Sequence, residues 1–290
     1  MKLGYKQIGN EFNNVKEILK TKFQISNRLL AKLKKDKHIF LNNVPCYVTA
    51  KTNPNDIILV DLDFEEKSDN IIPTEMDLDI IFEDEALLVI NKPAGITIHP
   101  SQNHYTDSLS NGVKFYYNTL NLKRKIRPVN RLDKDTSGIV IFAKNEYIQE
   151  ALIKQMKEKV LKKEYIAFIE GFLNTMNGTI SVPIARKEGS IIEREVSKNG
   201  EIAITHFEVL KKFKNYTKLK YTLETGRTHQ LRVHSKYLGN PILGDTLYGN
   251  KSNKINRQAL HAYKISFIHP ISKKKMIFIT ELPQDMKNLN

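Results

Sequence analysis

Short apolar stretches of strand length dominate the chain from Asp77 onwards, and this pattern limits the folds that are open to it. Most of these stretches are separated by turns, and only two or three segments have the spacing of amphipathic helices. Parallel strands need long crossover connections, usually helices, and no regular alternation of strand and helix is visible. The pattern therefore predicts an α+β domain built on a mixed, mainly antiparallel sheet.

The expected elements of this domain follow from apolar periodicity and from the positions of turn residues. Strands are predicted at residues 79–82, 86–90, 139–143, 164–169, 178–182, 203–210, 217–224, 259–268 and 275–279. Helices are predicted at 107–120, at 147–160 and from 226–228 to the residue before Gly239, with 185–201 as a polar hairpin or loop.

The first sixty residues differ from this domain. Between Phe23 and Leu33, apolar residues recur at helical spacing opposite a basic face, which predicts an amphipathic helix. A hairpin at 39–48 and a strand at 57–60 should complete a small αβ module. An acidic, proline-containing stretch without periodicity follows, which is typical of a solvated linker. We therefore expect three parts, at residues 1–62, 63–76 and 77–290.

Charge is distributed unevenly along a chain whose formal net charge is +14. Residues 1–60 carry 11 basic and 4 acidic side chains, residues 61–85 carry 1 and 11, and residues 86–290 carry 34 and 17. A strongly positive surface favours a polyanionic partner, and nucleic acid is the commonest soluble one. The alternative is a lysine-rich composition without any partner.

Several classes of protein are disfavoured. No stretch approaches the roughly 18 uncharged apolar residues of a membrane helix, and the N-terminus lacks the apolar core of a secretory signal. The single cysteine, Cys46, excludes an intramolecular disulfide and a cysteine-based metal cluster. His99, His229, His234 and His261 lack a metal-binding spacing. We expect a cytoplasmic monomer without membrane contact or bound metal.

The stretch from Arg127 to Lys144 concentrates the charged residues that could carry chemistry. Asp133 and Asp135 lie among basic residues just before an apolar strand. A carboxylate held against guanidinium groups in a turn can stay ionised and be aimed at a substrate. The alternative is a solvated turn with surface ion pairs of little energetic consequence.

A phosphatase-like hydrolase is a second possibility, because Asp133-Lys-Asp135-Thr136 resembles the start of an Asp-x-Asp-x-Thr phosphoryl-transfer pattern, with Ser137 at the last position. That pattern should end a hydrophobic strand near the start of a parallel αβ domain. Here it lies in the middle of the chain and precedes the apolar strand, so we disfavour this interpretation.

Four stretches of the large domain resemble the RluA-type pseudouridine synthases, in the order of that family. They are Ile90-Asn-Lys-Pro-Ala-Gly95, Asn130-Arg-Leu-Asp-Lys-Asp-Thr-Ser-Gly138, Lys163-Glu-Tyr-Ile-Ala167 and Thr225-Gly-Arg-Thr-His-Gln-Leu-Arg-Val-His234. Shorter supporting pieces lie at 241–245, 248–249 and 260–262. The N-terminal module resembles the S4 RNA-binding module at 26–60, although the usual turn glycines are absent.

The resemblance implies that the large domain isomerises uridine in RNA, breaking the N1–C1′ bond and joining C1′ to C5. No redox change is involved, so no cofactor is expected. Asp133 matches the family's catalytic aspartate. Tyr165 matches its active-site tyrosine, expected to stack on uracil and to accept or relay a proton. Arg227 matches the basic partner of the aspartate, at a helix N-terminus.

The resemblance also implies substrate-binding residues. Arg131 matches the arginine that fills the place of the flipped-out nucleotide. Leu231 is expected to pack under the uracil, and His229 to contact RNA or to support the fold. In the N-terminal module, Arg28 and Lys32 lie on the basic helix face and are expected to bind RNA.

Asn130 departs from the family pattern, which has histidine before the Arg-Leu-Asp sequence. An amide can replace a histidine hydrogen bond but cannot titrate, so activity should survive if that residue shapes the turn or contacts RNA. The alternative is a catalytically inactive RNA-binding or ribosome-assembly protein. Ribosomal RNA of the large subunit (23S-type) is the expected partner, with transfer RNA as the second candidate.

Overall fold

The computed structural model describes residues 1–66 and 70–290. In the N-terminal part, four antiparallel strands pair in the order β1-β4-β2-β3. The elements are β1 (Lys2–Lys6), α1 (Val15–Thr21), α2 (Asn27–Lys35), β2 (Ile39–Leu41), β3 (Val44–Pro45) and β4 (Ile57–Asp61). This part has a hydrophobic core of its own, in which the apolar faces of both helices cover the sheet.

The predicted basic helix begins later than its apolar periodicity suggested. The Ser26 hydroxyl accepts a hydrogen bond from the Leu29 amide at 3.1 Å and caps α2, so residues 23–26 precede the helix. The hairpin turn at Asn42 and Asn43 adopts positive φ values of 52° and 66°, which asparagine tolerates better than most residues.

The rest of the chain contains the strands β5 (Ile80–Glu83), β6 (Leu87–Lys92), β7 (Ser137–Ala143), β8 (Lys162–Glu170), β9 (Asn177–Ser181), β10 (Ile184–Arg186), β11 (Arg194–Val196), β12 (Ile204–Lys212), β13 (Tyr216–Leu223), β14 (Leu260–Ile268) and β15 (Lys275–Ile279). Its helices are α3 (Leu109–Thr119), α4 (Glu146–Lys157), α5 (Gln230–Tyr237) and α6 (Gln284–Lys287). Within the described residues, no helix has the length and apolar character needed to cross a membrane.

In this part of the described chain, nine strands form one sheet in the order β5-β6-β7-β14-β8-β13-β12-β9, with β15 also paired to β14. Every neighbouring pair is antiparallel except β7 and β14, which run parallel. The predicted α+β class with a mixed, mainly antiparallel sheet is confirmed. The polar segment predicted as a hairpin or loop forms the separate two-stranded hairpin β10–β11.

The parallel contact between β7 and β14 fixes the end of the loop that contains Asp133. Gly138 lies at this contact with φ +115°, and a Cβ atom there would lie 2.3 Å from the Ala262 carbonyl oxygen. No side chain fits at that position, which explains the glycine after Thr136-Ser137. The Ser137 hydroxyl and His261 Nδ1 are 2.9 Å apart and join the same two strands.

Part of the predicted linker contacts the large domain. Glu66 is almost fully buried and forms an ion pair with Arg127, whose Nη2 donates to Glu66 Oε1 at 2.6 Å. Arg124 donates to the carbonyl oxygen of Phe64 at 2.9 Å. Residues 67–69 of the predicted linker lie outside the described residues.

Arg28 and Lys32, which we predicted to bind RNA, contact the large domain in the structure. Arg28 Nε lies 3.0 Å from Glu146 Oε1, and Lys32 forms an ion pair with the other oxygen of the same carboxylate. The Ser26 hydroxyl donates to Glu150 on the same helix, α4. Tyr147 packs against the core of the N-terminal module. The structure therefore places both basic residues at the contact between the two parts of the chain.

Glu146→Gln should lower the free energy of unfolding by about 2 kcal/mol, because the nearly buried Glu146 carboxylate balances two cations and Lys32 is itself half-buried. Urea unfolding followed by circular dichroism measures the change. Glu158→Gln, which removes an exposed pair with Lys154 on the same helix, is the control and should change stability by less than about 0.5 kcal/mol. Equal effects would show that Glu146 does not hold the two parts together.

Candidate active site

A cavity of about 720 Å³ opens beside the loop that leads into β7. Its walls come from that loop, from the last turns of α4, from the start of β8 and from the segment that joins β13 to α5. Asp133, Tyr165 and Leu231, which lie far apart in the sequence, all line it. The cavity thus collects the residues that the sequence motifs singled out.

Asp133 is held by Arg232 of α5. Arg232 Nη1 donates to Asp133 Oδ2 at 3.1 Å, and the Asp133 side chain is 26% exposed on the cavity side. The amide of Thr136 donates to the Asp133 carbonyl oxygen at 3.1 Å and closes a turn at this point. The carboxylate is therefore both oriented and reachable from the cavity.

Arg232 is fixed from behind by a second carboxylate, Asp245, which is fully buried. Arg232 Nε and Nη2 donate to its two oxygens at 2.7 and 2.8 Å, a bidentate arrangement that holds the guanidinium plane. Burial alone would lower the pKa of Arg232, but the hydrogen bonds and charges of Asp245 and Asp133 outweigh it and raise the pKa. Arg232 consequently remains a fixed cation between two anions.

Arg227 was predicted as the partner of Asp133, and this prediction is wrong. Arg227 instead forms an ion pair with Glu201, and its Nε donates to the Ile202 carbonyl oxygen at 3.0 Å. The reason is local: His229 adopts a left-handed conformation with φ 57°, so the helix begins at Gln230. Arg227 therefore lies in the preceding turn, whereas Arg232 projects from the first turn of the helix.

His229 lies near the same oxygen of Asp133 that Arg232 contacts. Its Nε2 is 3.9 Å from Asp133 Oδ2, and its Nδ1 is 2.8 Å from the Tyr248 hydroxyl. Burial lowers the pKa of His229, and the negative charge of Asp133 opposes this shift only in part. The imidazole is therefore mainly neutral at pH 7. Its place beside Asp133 is compatible with the predicted substrate contact.

Tyr165 and Leu231 give the cavity an apolar wall. Both side chains are almost fully buried and belong to the main hydrophobic core. Burial, reinforced by the charge of Asp133, raises the pKa of Tyr165, so its hydroxyl keeps its proton at neutral pH. A planar ring and an aliphatic side chain beside a carboxylate suit the binding of a flat, uncharged heterocycle.

Asn130 is occupied within the protein. Its Nδ2 donates to the Ile139 carbonyl oxygen and its Oδ1 accepts from the Ile141 amide, both at 2.9 Å. These two bonds tie the start of the loop to β7, so Asn130 shapes the loop and its predicted contact with substrate is not supported. Its neighbour Arg131 is exposed at the cavity rim and has no hydrogen bond or ion pair with the described residues.

Lys92 is a buried lysine that supports the loop. Its Nζ donates to the carbonyl oxygens of Pro93, Ile96 and Lys134 at 2.8, 2.8 and 2.9 Å. Burial lowers the pKa of Lys92 to about 7. The lysine links the turn after β6 to the residue that follows Asp133.

Sequence reasoning missed the roles of Lys92, Arg232 and Asp245, although each lies in one of the quoted motifs. The motifs were the available signal, but they do not state which side chain reaches which. In the part of the chain that the structure describes, no three histidine, cysteine or acidic side chains are grouped as metal ligands would be.

Comparison with known proteins agrees with this arrangement. Residues 86–237 match the model of the RNA pseudouridylate synthase family. The RNA pseudouridine synthase YhcT of Bacillus subtilis (strain 168) is 39% identical, over 94% of this chain and 90% of the relative. Ribosomal large subunit pseudouridine synthase D of Neisseria meningitidis serogroup B is 33% identical, over 88% of this chain and 71% of the relative.

A solved structure, human RNA pseudouridylate synthase domain containing 1, superposes with a TM-score of 0.59 at 25% identity. The match covers 74% of this chain and 86% of the human protein. The fold of the large domain therefore belongs to a known architecture.

Arg232→Gln should lower the free energy of unfolding by about 3 kcal/mol, because it leaves the buried Asp245 without its cation. Arg227→Gln removes the largely exposed pair with Glu201 and should change the free energy of unfolding by less than about 1 kcal/mol. Chemical denaturation of the two variants in parallel measures the difference. A larger loss for Arg227→Gln would contradict the assignment of Arg232 as the arginine that holds the site.

Proposed function

The chain belongs to the RNA pseudouridine synthase family, and we propose that it isomerises uridine in large-subunit ribosomal RNA with Asp133 as its catalytic carboxylate. The family resemblance predicted from the four motifs is confirmed, as is the expectation that the protein is an RNA pseudouridine synthase. The choice of RNA and the assignment of the carboxylate are the new parts of the proposal.

The observation that supports Asp133 most strongly is its ion pair with Arg232 at the wall of a cavity that Tyr165 and Leu231 also line. Breaking the N1–C1′ bond leaves C1′ electron-deficient, and a fixed carboxylate can stabilise or capture that carbon. Arg232 holds the carboxylate in place, because its own position is set by the buried Asp245. The site is thus organised before the substrate arrives.

The reaction balances without any external reagent. The N1–C1′ bond breaks and a C1′–C5 bond forms, the proton on C5 leaves, and N1 gains a proton. Tyr165 keeps its hydroxyl proton at neutral pH, so we assign it to packing and hydrogen-bond donation at the uracil. This narrows its predicted role, in which it could also accept a proton.

A uridine can reach this cavity only after leaving the base stack of the RNA. Arg131 is exposed at the rim and free of partners among the described residues, so its guanidinium is available to fill the space that the nucleotide leaves. The basic net charge of the chain favours the approach of RNA.

Ribosomal RNA of the large subunit is the proposed substrate because relatives that bear this substrate in their names are 33–34% identical over 88% of the chain. The N-terminal helix, hairpin and strand support the same choice, since they resemble an S4 RNA-binding module and we propose that role for residues 1–62. Transfer RNA remains the second candidate substrate.

Asp133→Asn should abolish pseudouridine formation, with a loss of at least about 1,000-fold in turnover, because the amide cannot act as a nucleophile or anion. Ribosomal RNA transcripts are incubated with each variant and mapped by carbodiimide-dependent primer-extension stops. Asp135→Asn, two residues further on, is the matched control and should retain activity. Stops that persist in Asp133→Asn would refute the role of Asp133, and their absence with the wild-type protein would refute the proposed substrate.

The role of Asn130 decides between two interpretations of the chain, an active enzyme and a catalytically inactive RNA-binding protein. Asn130→Ala removes two hydrogen bonds between the Asn130 side chain and the backbone of β7, and it should lower the free energy of unfolding by about 1–3 kcal/mol and turnover with it. The wild-type protein should be fully active in the mapping assay, because the Asn130 amide makes both hydrogen bonds that hold the loop to β7. If the wild-type protein is inactive and Asn130→His restores turnover, the residue limits catalysis and this account of it fails.

A further inference from the structure

Lys163 lies in one of the quoted motifs but has no role in the site described so far. It is two residues before Tyr165 on β8, and side chains on a strand alternate between its faces. Glu164, between them, points to the opposite face and pairs with Lys264 at 2.7 Å. Lys163 and Tyr165 therefore share the cavity face of the strand, and both line the cavity.

Lys163 differs from the other basic side chains of this cavity in its surroundings. Six basic residues and two acidic residues line the cavity. Of the basic ones, Lys159, Arg227 and Arg232 pair with carboxylates. Arg131 and Lys157 are exposed to solvent. Lys163 is partly buried, yet its ammonium has no hydrogen bond or ion pair with the described residues.

The position of the ammonium is defined by the turn that precedes α5. A Cβ atom added at Gly226 would lie 3.2 Å from Lys163 Nζ, so the lysine reaches across to this turn and the glycine leaves room for it. Burial lowers the pKa of Lys163, and no carboxylate offsets the effect. A partly buried cation without a partner is unfavourable in the free protein, and an anionic ligand would remove that penalty.

We propose that Lys163 binds a backbone phosphate of the RNA beside the reacting uridine. This inference rests on the proposed function, in which an RNA nucleotide enters the cavity. Phosphate is the anion that every RNA brings to such a site, and a lysine binds it as a point charge without demanding a fixed geometry. Asp133, which lines the same cavity, would engage the ribose, and Lys163 would hold the RNA backbone at that nucleotide.

The test compares Lys163→Met with Lys162→Met. Lys162 is the neighbouring lysine on β8 and is exposed to solvent, so it controls for the loss of one positive charge. Binding of a single-stranded oligouridylate is measured over a range of salt concentrations. Lys163→Met should weaken binding about tenfold, as expected for one charge-assisted hydrogen bond. It should also reduce the slope of log Kd against log salt by about 0.7, the value for one phosphate contact on a single strand.

Turnover on a ribosomal RNA transcript separates phosphate binding from a chemical role. Lys163→Met should raise KM and leave kcat within about threefold, and Lys163→Arg should restore both the affinity and the salt slope. Identical salt slopes for Lys163→Met and Lys162→Met would overturn the proposal. Loss of kcat in Lys163→Arg with affinity intact would also overturn it, because the lysine would then act on a proton.

These outcomes are distinguishable from failure of the proposed function. If the wild-type protein modifies no ribosomal RNA, that function fails, while the salt slopes on oligouridylate still show whether Lys163 contacts phosphate. If the wild-type protein is active and the slopes are equal, only the assignment of Lys163 fails.

Discussion

The bidentate pair between Arg232 and Asp245 is the interaction on which the site depends. Asp245 is fully buried and also accepts hydrogen bonds from the backbone amides of Leu247 and Tyr248, at 3.1 and 3.2 Å. These hydrogen bonds hold the Asp245 carboxylate toward Arg232. The bidentate pair in turn holds the Arg232 guanidinium toward Asp133. Because each partner is fixed before substrate binds, the proposed reaction would need little reorganisation when charge develops at the ribose.

The fold and the location of the site could be predicted from the sequence. Alternating apolar residues and turn residues gave the strands, and the motif around Asp133 gave the loop. Which arginine reaches Asp133 could not be predicted, because Arg227 and Arg232 lie in the same motif. The choice depends on the left-handed conformation of His229, which moves the helix start by a few residues. Such a backbone conformation is uncommon for a residue other than glycine and has no simple sequence signature.

The contact between the N-terminal module and the large domain was also beyond sequence reasoning. A basic helix face predicts an anionic partner, and RNA was the reasonable choice. In the structure, the Glu146 carboxylate pairs with Lys32, although the two residues are 114 positions apart in the sequence. Only the packing of α2 on α4 brings these residues together. The module is consequently held against the enzyme by its own basic residues, while Lys34, Lys35 and Lys37 remain exposed.

The catalytic role of Asp133 is tested most directly by a crystal structure of the Asp133→Asn protein bound to its RNA. We expect a uridine flipped into the cavity, with its C1′ about 3–3.5 Å from the side chain at position 133. Arg232 should lie on the far side of that side chain, still paired with Asp245. A uridine that stays stacked in the RNA, or another carboxylate closer to C1′, would contradict the role of Asp133.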